Sequence, residues 1–181
     1  MRIVDLRAED EERVHQTADV LRAAFRGRTS AWQDAESTLA EVRESLEPGR
    51  ISRVALAGDG SVAGWIGGIE GYSHAWELHP LAVRPDLQGH GIGAALVADL
   101  EALVRARGAL TLYLGADDEI GETTLSGVDL YPNPWPHIAA IENHGRHPYT
   151  FYLKQGFTIT GVIPDANGPG KPDILMAKRV S

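Results

Sequence analysis

Leu81-Ala82-Val83-Arg84-Pro85-Asp86-Leu87-Gln88-Gly89-His90-Gly91-Ile92-Gly93-Ala94-Ala95-Leu96-Val97 is the stretch whose reading decides the fold. Residues 81–83 are an apolar strand end. Glycines follow at 89, 91 and 93, and an apolar helical run begins at Ala94. Backbone N–H groups at a helix start lack carbonyl partners, and the helix dipole adds partial positive charge there. Glycines let a phosphate approach the backbone without meeting a Cβ. The stretch therefore implies a cradle for a pyrophosphate. Two other phosphate loops do not fit. A dinucleotide fold wants Gly-x-Gly-x-x-Gly early in a β-α-β unit, with an acid about 20 residues on. A P-loop needs Gly-Lys-Ser/Thr; none occurs, and the chain has only three lysines.

Strand patterns precede the loop at 2–6, 51–57, 62–72 and 75–83, with Gly58-Asp59-Gly60-Ser61 as a hairpin turn. Two helices are predicted in between. The first starts at Ala8-Glu9-Asp10 and carries Val14, Ala18, Leu21 and Phe25 on one face; the second carries Leu39, Val42 and Leu46. After the loop come a helix over 94–106, a strand over 110–114 and a long acidic, then proline-rich loop over 115–136. A loop of that length more often carries function than not. A short helix over 137–144, another from His147-Pro148 to Gln155, and strands over 157–163 and 174–180 complete the pattern. No repeat or linker divides residues 1–181, so one domain is expected.

The 181 residues are 43 % hydrophobic and 23 % charged, a globular composition. There is no cysteine, which excludes disulfides, thiolate metal sites and a cysteine nucleophile. A net charge of −8 suits a cationic partner and argues against nucleic acid. Met1 to Asp5 opens directly into a strand pattern without a signal-peptide core, and no apolar run is long enough to span a membrane, so a cytoplasmic location is expected. Seven histidines include His144-x-x-His147, but no His-Glu-x-x-His occurs, and no metal is expected.

The order β-α-α-β-β-β, glycine loop and helix, then β-α-β, with Phe151-Tyr152-x-x-x-Gly156-Phe157 near the end, resembles the GNAT superfamily of N-acetyltransferases. The resemblance implies a mixed, mainly antiparallel α/β sheet flanked by helices and splayed at an acetyl-coenzyme A site. It puts the coenzyme on Leu81, Ala82 and Val83 of the strand, on Gln88, Gly89, His90, Gly91, Ile92, Gly93 and Ala94 of the loop, and on Tyr152. Further blocks are similar to aminoglycoside 6'-N-acetyltransferases. They are Trp76-Glu77-Leu78-His79-Pro80-Leu81, Tyr113-Leu114-Gly115-x-Asp117-Asp118, Thr123-Thr124-Leu125-Ser126, His147-Pro148-Tyr149 and Pro164-x-Ala166-Asn167-Gly168. The first 60 residues match only in outline. The resemblance also implies a homodimer, and a cationic aminoglycoside or other amine as partner.

Acetyl transfer to an amine needs a proton acceptor, an oxyanion donor and an acid for the leaving thiolate. Glu77 and His79 lie two apart on one strand and share a face, so either is a candidate acceptor. By resemblance, the Leu81 N–H contacts the thioester oxygen and Tyr152 reaches the sulfur as general acid; Tyr149, three residues earlier, is its rival. Carboxylates that would hold substrate ammonium groups are Glu77, Asp117, Asp118, Asp129, Glu142 and Asp173. Tyr72 and Trp32 are candidates to wall a sugar ring, with core packing the plainer reading of Trp32. Arg26-Gly27-Arg28 and the loop around Trp135 depart from the pattern. Other amines, a protein N-terminus, or a non-catalytic acyl-coenzyme A-binding domain stay open on sequence alone.

Overall fold

Asp10 and Asp34 start the first two helices. The Asp10 carboxylate accepts the Arg13 amide at 3.2 Å, and that of Asp34 accepts the Ser37 amide at 2.7 Å. Each satisfies an amide that the helix start leaves without a partner. Helix α1 (Glu11–Phe25) thus begins one turn later than the 8–10 start expected, because Asp10 caps the helix rather than joining it. In this computed structural model, which describes residues 1–181, β1 (Arg2–Asp5) precedes α1. Then come α2 (Ala35–Glu44), β2 (Ile51–Leu56), β3 (Val62–Tyr72), β4 (Ala75–Val83), a 3-10 turn (Pro85–Leu87), α3 (Ile92–Ala106) and β5 (Thr111–Asp117). The chain ends with α4 (Trp135–Ala139), α5 (Tyr149–Lys154), β6 (Thr158–Ile163) and β7 (Asp173–Arg179). The fold is the mixed α/β one expected, with a seven-stranded, mainly antiparallel sheet and helices packed on its strands. The chain forms two compact units, residues 1–112 with 180–181, and residues 113–179.

In the first unit β1, β2, β3 and β4 form an antiparallel meander. Helix α1 lies on β3 and β4, and α3 lies on β2, β3 and β4. Residues 62–68 of β3 are therefore buried without alternation, as in a strand covered on both faces. Trp65 joins the cluster of Val14, Leu21 and Val42. Gly64 and Gly68 face α3 instead. A Cβ on Gly68 would stand 2.8 Å from the Leu100 Cδ1, so small residues let α3 sit close.

β4 carries one extra residue against β3. Leu78 pairs with Gly68 and Leu81 with Ile66, three steps on one strand against two on the other. Gly67 stands opposite this bulge, where a Cβ would strike the His79 carbonyl oxygen. The His79–Pro80 peptide is cis. A bulge resets the alternation of a strand. Ala82, not Leu81, accordingly joins Trp65 in the core cluster.

In the second unit the strand order is β5-β7-β6, with β6 and β7 antiparallel from Thr158↔Ala177 to Ile163↔Asp173. Helix α4 touches β6 and α5 touches β7. β5 runs three residues past the expected end, into Asp117. The helix expected over 137–144 is instead Trp135–Ala139. Pro134 and Pro136 sit at its N-terminus, where a missing N–H costs nothing. Residues 142–144 are drawn away from helix by pairing with 122–124: Thr124 N–H donates to the Glu142 carbonyl at 3.1 Å and His144 N–H to that of Glu122 at 2.7 Å.

Candidate active site

The glycine loop presents main chain. Gly89 and Gly91 have φ of 79° and 81°, a region that side chains with a Cβ rarely adopt, and a Cβ at either would meet nothing within 4 Å. Gly91 caps α3, and Ala95 N–H donates to its carbonyl at 3.0 Å as the first helical bond. The amides of Ile92, Gly93 and Ala94 therefore have no carbonyl one turn back. The loop's polar side chains fold onto its own backbone. Gln88 Nε2 donates to the Val83 carbonyl at 3.1 Å, and His90 Nδ1 lies 3.0 Å from the Gln88 carbonyl. Ile92 and Ala82 are buried at 8 % and 1 % exposure, so what they offer a ligand is their backbone. The first turn of α3 carries no acidic residue. That open amide cluster fits an anionic pyrophosphate.

On β4, Glu77 and His79 are half-buried and share a face, as their spacing implies. A third group, absent from the sequence reading, joins them from α2. Glu41 Oε1 lies 3.5 Å from His79 Nε2, and Glu41 Oε2 accepts from Trp32 Nε1 at 3.2 Å. Burial works against charge on His79, but the Glu41 bond and the charges of Glu41 and Glu77 outweigh it and Arg50, and the imidazole pKa is raised above 6.5. The His79 bond, helped by the His79 charge and Trp32, holds the Glu41 carboxyl below its ordinary 4.5 despite burial. A raised imidazole stays cationic to higher pH, and a cationic imidazole has no lone pair to take a proton. Tyr72, at the end of β3, is 70 % exposed. Trp32 packs edge-on against Phe25, with centroids 4.8 Å apart, which fits the packing reading.

In the second unit, Asp118 is corrected. It is fully buried, and its carboxylate accepts from Glu122 N at 2.7 Å, Thr123 N at 2.8 Å and Thr123 Oγ1 at 2.8 Å. It shapes the loop and presents nothing to a substrate. Its neighbour Asp117 is exposed at the end of β5 and accepts from Asn167 Nδ2 at 2.5 Å. Asp129 and Glu142 are exposed, and Asp129 accepts the Tyr131 amide at 3.2 Å. Asp173 starts β7 with its carboxylate lying over Gly115, where a Cβ would stand 2.9 Å from its Cγ.

Tyr152 is 7 % exposed, with its ring edge-on to Phe157 at 5.5 Å. Burial pushes its phenol above its ordinary value, so it stays protonated, as a proton donor must. Tyr149 is also buried, and its phenol is raised by burial and by the charge of Glu142. His147 is structural. It is 1 % exposed, its Nε2 lies 3.1 Å from the Asp117 carbonyl, and its Nδ1 accepts the Tyr149 amide at 3.2 Å. Asn143 braces the same turn, accepting the His147 amide at 3.2 Å and donating to its carbonyl at 2.9 Å. No group of three acidic or histidine side chains could hold a metal ion. A surface hollow at the β1 edge, lined by Arg2, Asp5, Arg7, Asp10 and Arg53, contains none of these candidate residues.

The model of the Acetyltransferase (GNAT) family matches residues 14–125. Among solved structures, an aminoglycoside 6'-N-acetyltransferase complexed with coenzyme A is 40 % identical, with a TM-score of 0.92 over 100 % of this chain and 98 % of that one. The aminoglycoside 6'-N-acetyltransferase from Enterococcus faecium is 41 % identical, with a TM-score of 0.89 over the same shares. An aminoglycoside 6'-acetyltransferase type Ii is 35 % identical, with a TM-score of 0.75 over 100 % of this chain and 98 % of that one. No match was found among the curated proteins.

Proposed function

The chain belongs to the acetyltransferase (GNAT) family, and from that premise we propose that it transfers the acetyl group of acetyl-coenzyme A to the 6'-amine of an aminoglycoside. The observation that carries the reading is the 40 % identity, over the whole chain, to an aminoglycoside 6'-N-acetyltransferase bound to coenzyme A. The reading treats residues 1–181 as one domain; the family match supports this, because it runs through residue 112 to residue 125.

The roles follow from the residues. The amides of residues 92–94 and the bare glycines at 89 and 91 receive the pyrophosphate, and residues 81–83 pair with the pantetheine arm. Glu77 takes a proton from the substrate ammonium, directly or through water, and the freed nitrogen attacks the thioester carbon. The Leu81 N–H donates to the oxygen as it becomes anionic. As the C–N bond forms and the C–S bond breaks, the Tyr152 hydroxyl gives its proton to the sulfur, and the surplus proton of the acylated nitrogen passes through water to the tyrosinate, restoring the phenol. Asp117, Asp129, Glu142, Asp173 and Tyr72 hold the other ammonium groups and the sugar face. The reading extends to a cytoplasmic homodimer that confers resistance. A net charge of −8 favours a cationic substrate over nucleic acid. No helix is long and apolar enough to cross a membrane.

The test is thiol release from acetyl-coenzyme A against a panel of aminoglycosides, polyamines, amino sugars and peptides, with the product located by NMR. Acetylation at the 6'-nitrogen is expected. Turnover confined to another amine, or coenzyme binding with no turnover, overturns the assignment. For the coenzyme site, Gly91→Val is expected to weaken coenzyme A binding about tenfold or more, roughly 1.4 kcal/mol, since a branched side chain would occupy the open space over the loop that the phosphate needs. Calorimetric titration measures it, and an unchanged Kd removes the loop from the site.

A further inference from the structure

We propose that Glu41 is a positioning residue for acetyl transfer: from α2, with its carboxylate anchored by the Trp32 indole N–H, it holds the His79 imidazole in place beside Glu77. This rests on the acetyl-transfer reading above and names a residue that neither the motifs nor the family resemblance supplied.

Two separate pieces of chain converge on the His79 ring, beside a neighbour on its own strand. Glu41 approaches from α2, with its side chain 18 % exposed and its Oε1 3.5 Å from His79 Nε2. The Trp32 ring comes from the α1–α2 connection, its centroid 5.9 Å from that of His79 and tilted by 50°. Glu77 lies two residues away on β4. Trp32 is held in an unfavourable backbone, with φ of 55°, a region that bulky residues avoid. Its surroundings keep it there. Phe25 packs edge-on at 4.8 Å, Ala31 N–H donates to Thr29 Oγ1 at 3.1 Å, and Gln33 Nε2 donates to the carbonyls of Thr29 and Ala31. The indole N–H then fixes Glu41 Oε2 at 3.2 Å, which leaves Oε1 for the imidazole.

The consequence is chemical as well as geometric. With Nε2 turned to Glu41, the ring offers Nδ1–H as its remaining donor. Charged groups that act on the ring are Glu41 and Glu77, which favour its cation, and Arg50, which opposes it. The sign is fixed by the direction of the shifts. Stability from His79 is complete below its unfolded value near 6.5 and is lost as pH rises through the higher folded value. Stability from Glu41 is present above its unfolded value near 4.5 and is lost as pH falls through the lower folded value. A protonated His79 does not compete with Glu77 for the proton of the amine.

The experiment uses the full chain with Glu41→Gln, which keeps the shape, and Trp32→Phe, which keeps the ring and removes the N–H. The His79 imidazole is titrated by NMR, and kcat is followed against pH with the best amine substrate. In Glu41→Gln the His79 midpoint is expected to fall, the alkaline limb of kcat to move down with it, and kcat at pH 8 to drop about tenfold, the scale set by lost orientation. Coenzyme A affinity stays unchanged. Trp32→Phe moves both readouts in the same direction by less, and it carries the test alone if Glu41→Gln does not fold. An unmoved His79 midpoint overturns the proposal, and so does a moved midpoint with an unmoved kcat profile. A parent protein that turns over no amine overturns the acetyl-transfer reading together with this one. An active parent, with variants that keep its profile, overturns the role of Glu41 alone.

Discussion

Replacing Glu77 by glutamine is expected to lower kcat about a hundredfold or more at neutral pH, the scale of a lost general base. Glutamine has the same shape and no basic carboxylate. Glu77 sits half-buried on β4 opposite Ile69, so the amide fills the same space without disturbing the strand. His79 is its competitor for the role, and the sequence could not separate the two. In the proposed reading Glu41, lying 3.5 Å from His79 Nε2, favours the imidazolium form, which is why the acceptor role is given to Glu77. Steady-state kinetics with the 6'-amine substrate, alongside calorimetric titration with coenzyme A, checks the result. A rate close to that of the parent, with full loss in His79→Gln, would transfer the acceptor role to the imidazole.

Tyr152→Phe is expected to lower kcat by about one to two orders of magnitude through loss of the general acid. The ring remains, and so does its edge-on packing on Phe151 and Phe157, at 5.1 and 5.5 Å. Coenzyme A affinity and thermal stability should therefore stay near those of the parent. Burial alone raises the phenol, so its proton is retained across the working pH range and the loss in the variant should be nearly independent of pH. Single-turnover measurement of thiol release isolates the step. If Tyr152→Phe keeps the parent rate while Tyr149→Phe loses it, the acid is Tyr149.

Much of this was legible in the chain. The glycines at 89 and 91 and the apolar helix behind them marked the turn that bares the start of α3, because positive φ and a helix start leave local signals. The alternation through Glu77 and His79 marked a shared strand face. Asp117 and Asp118 were both read as candidates to hold a substrate ammonium, and the structure parts them. Asp117 is exposed, whereas Asp118, its neighbour, is sealed inside the loop by three hydrogen bonds. Nothing in an Asp-Asp pair says which side chain turns inward.

The sequence by itself determined what depends on nearby residues: strand and helix periods, the capping aspartates, and the turn that bares a helix start. Those features are set by backbone sterics and by hydrogen bonds that reach only a few positions. Only the tertiary structure decided which distant groups act together. Glu41 and His79 are far apart along the chain, yet 3.5 Å apart in space, and Trp32 fixes the carboxylate between them. The β4 bulge exists because Gly67 has no Cβ to strike the His79 carbonyl. Charge coupling falls off with distance through space, not along the chain, so the Glu41 carboxylate that α2 brings to His79 raises its imidazole pKa from 38 positions away.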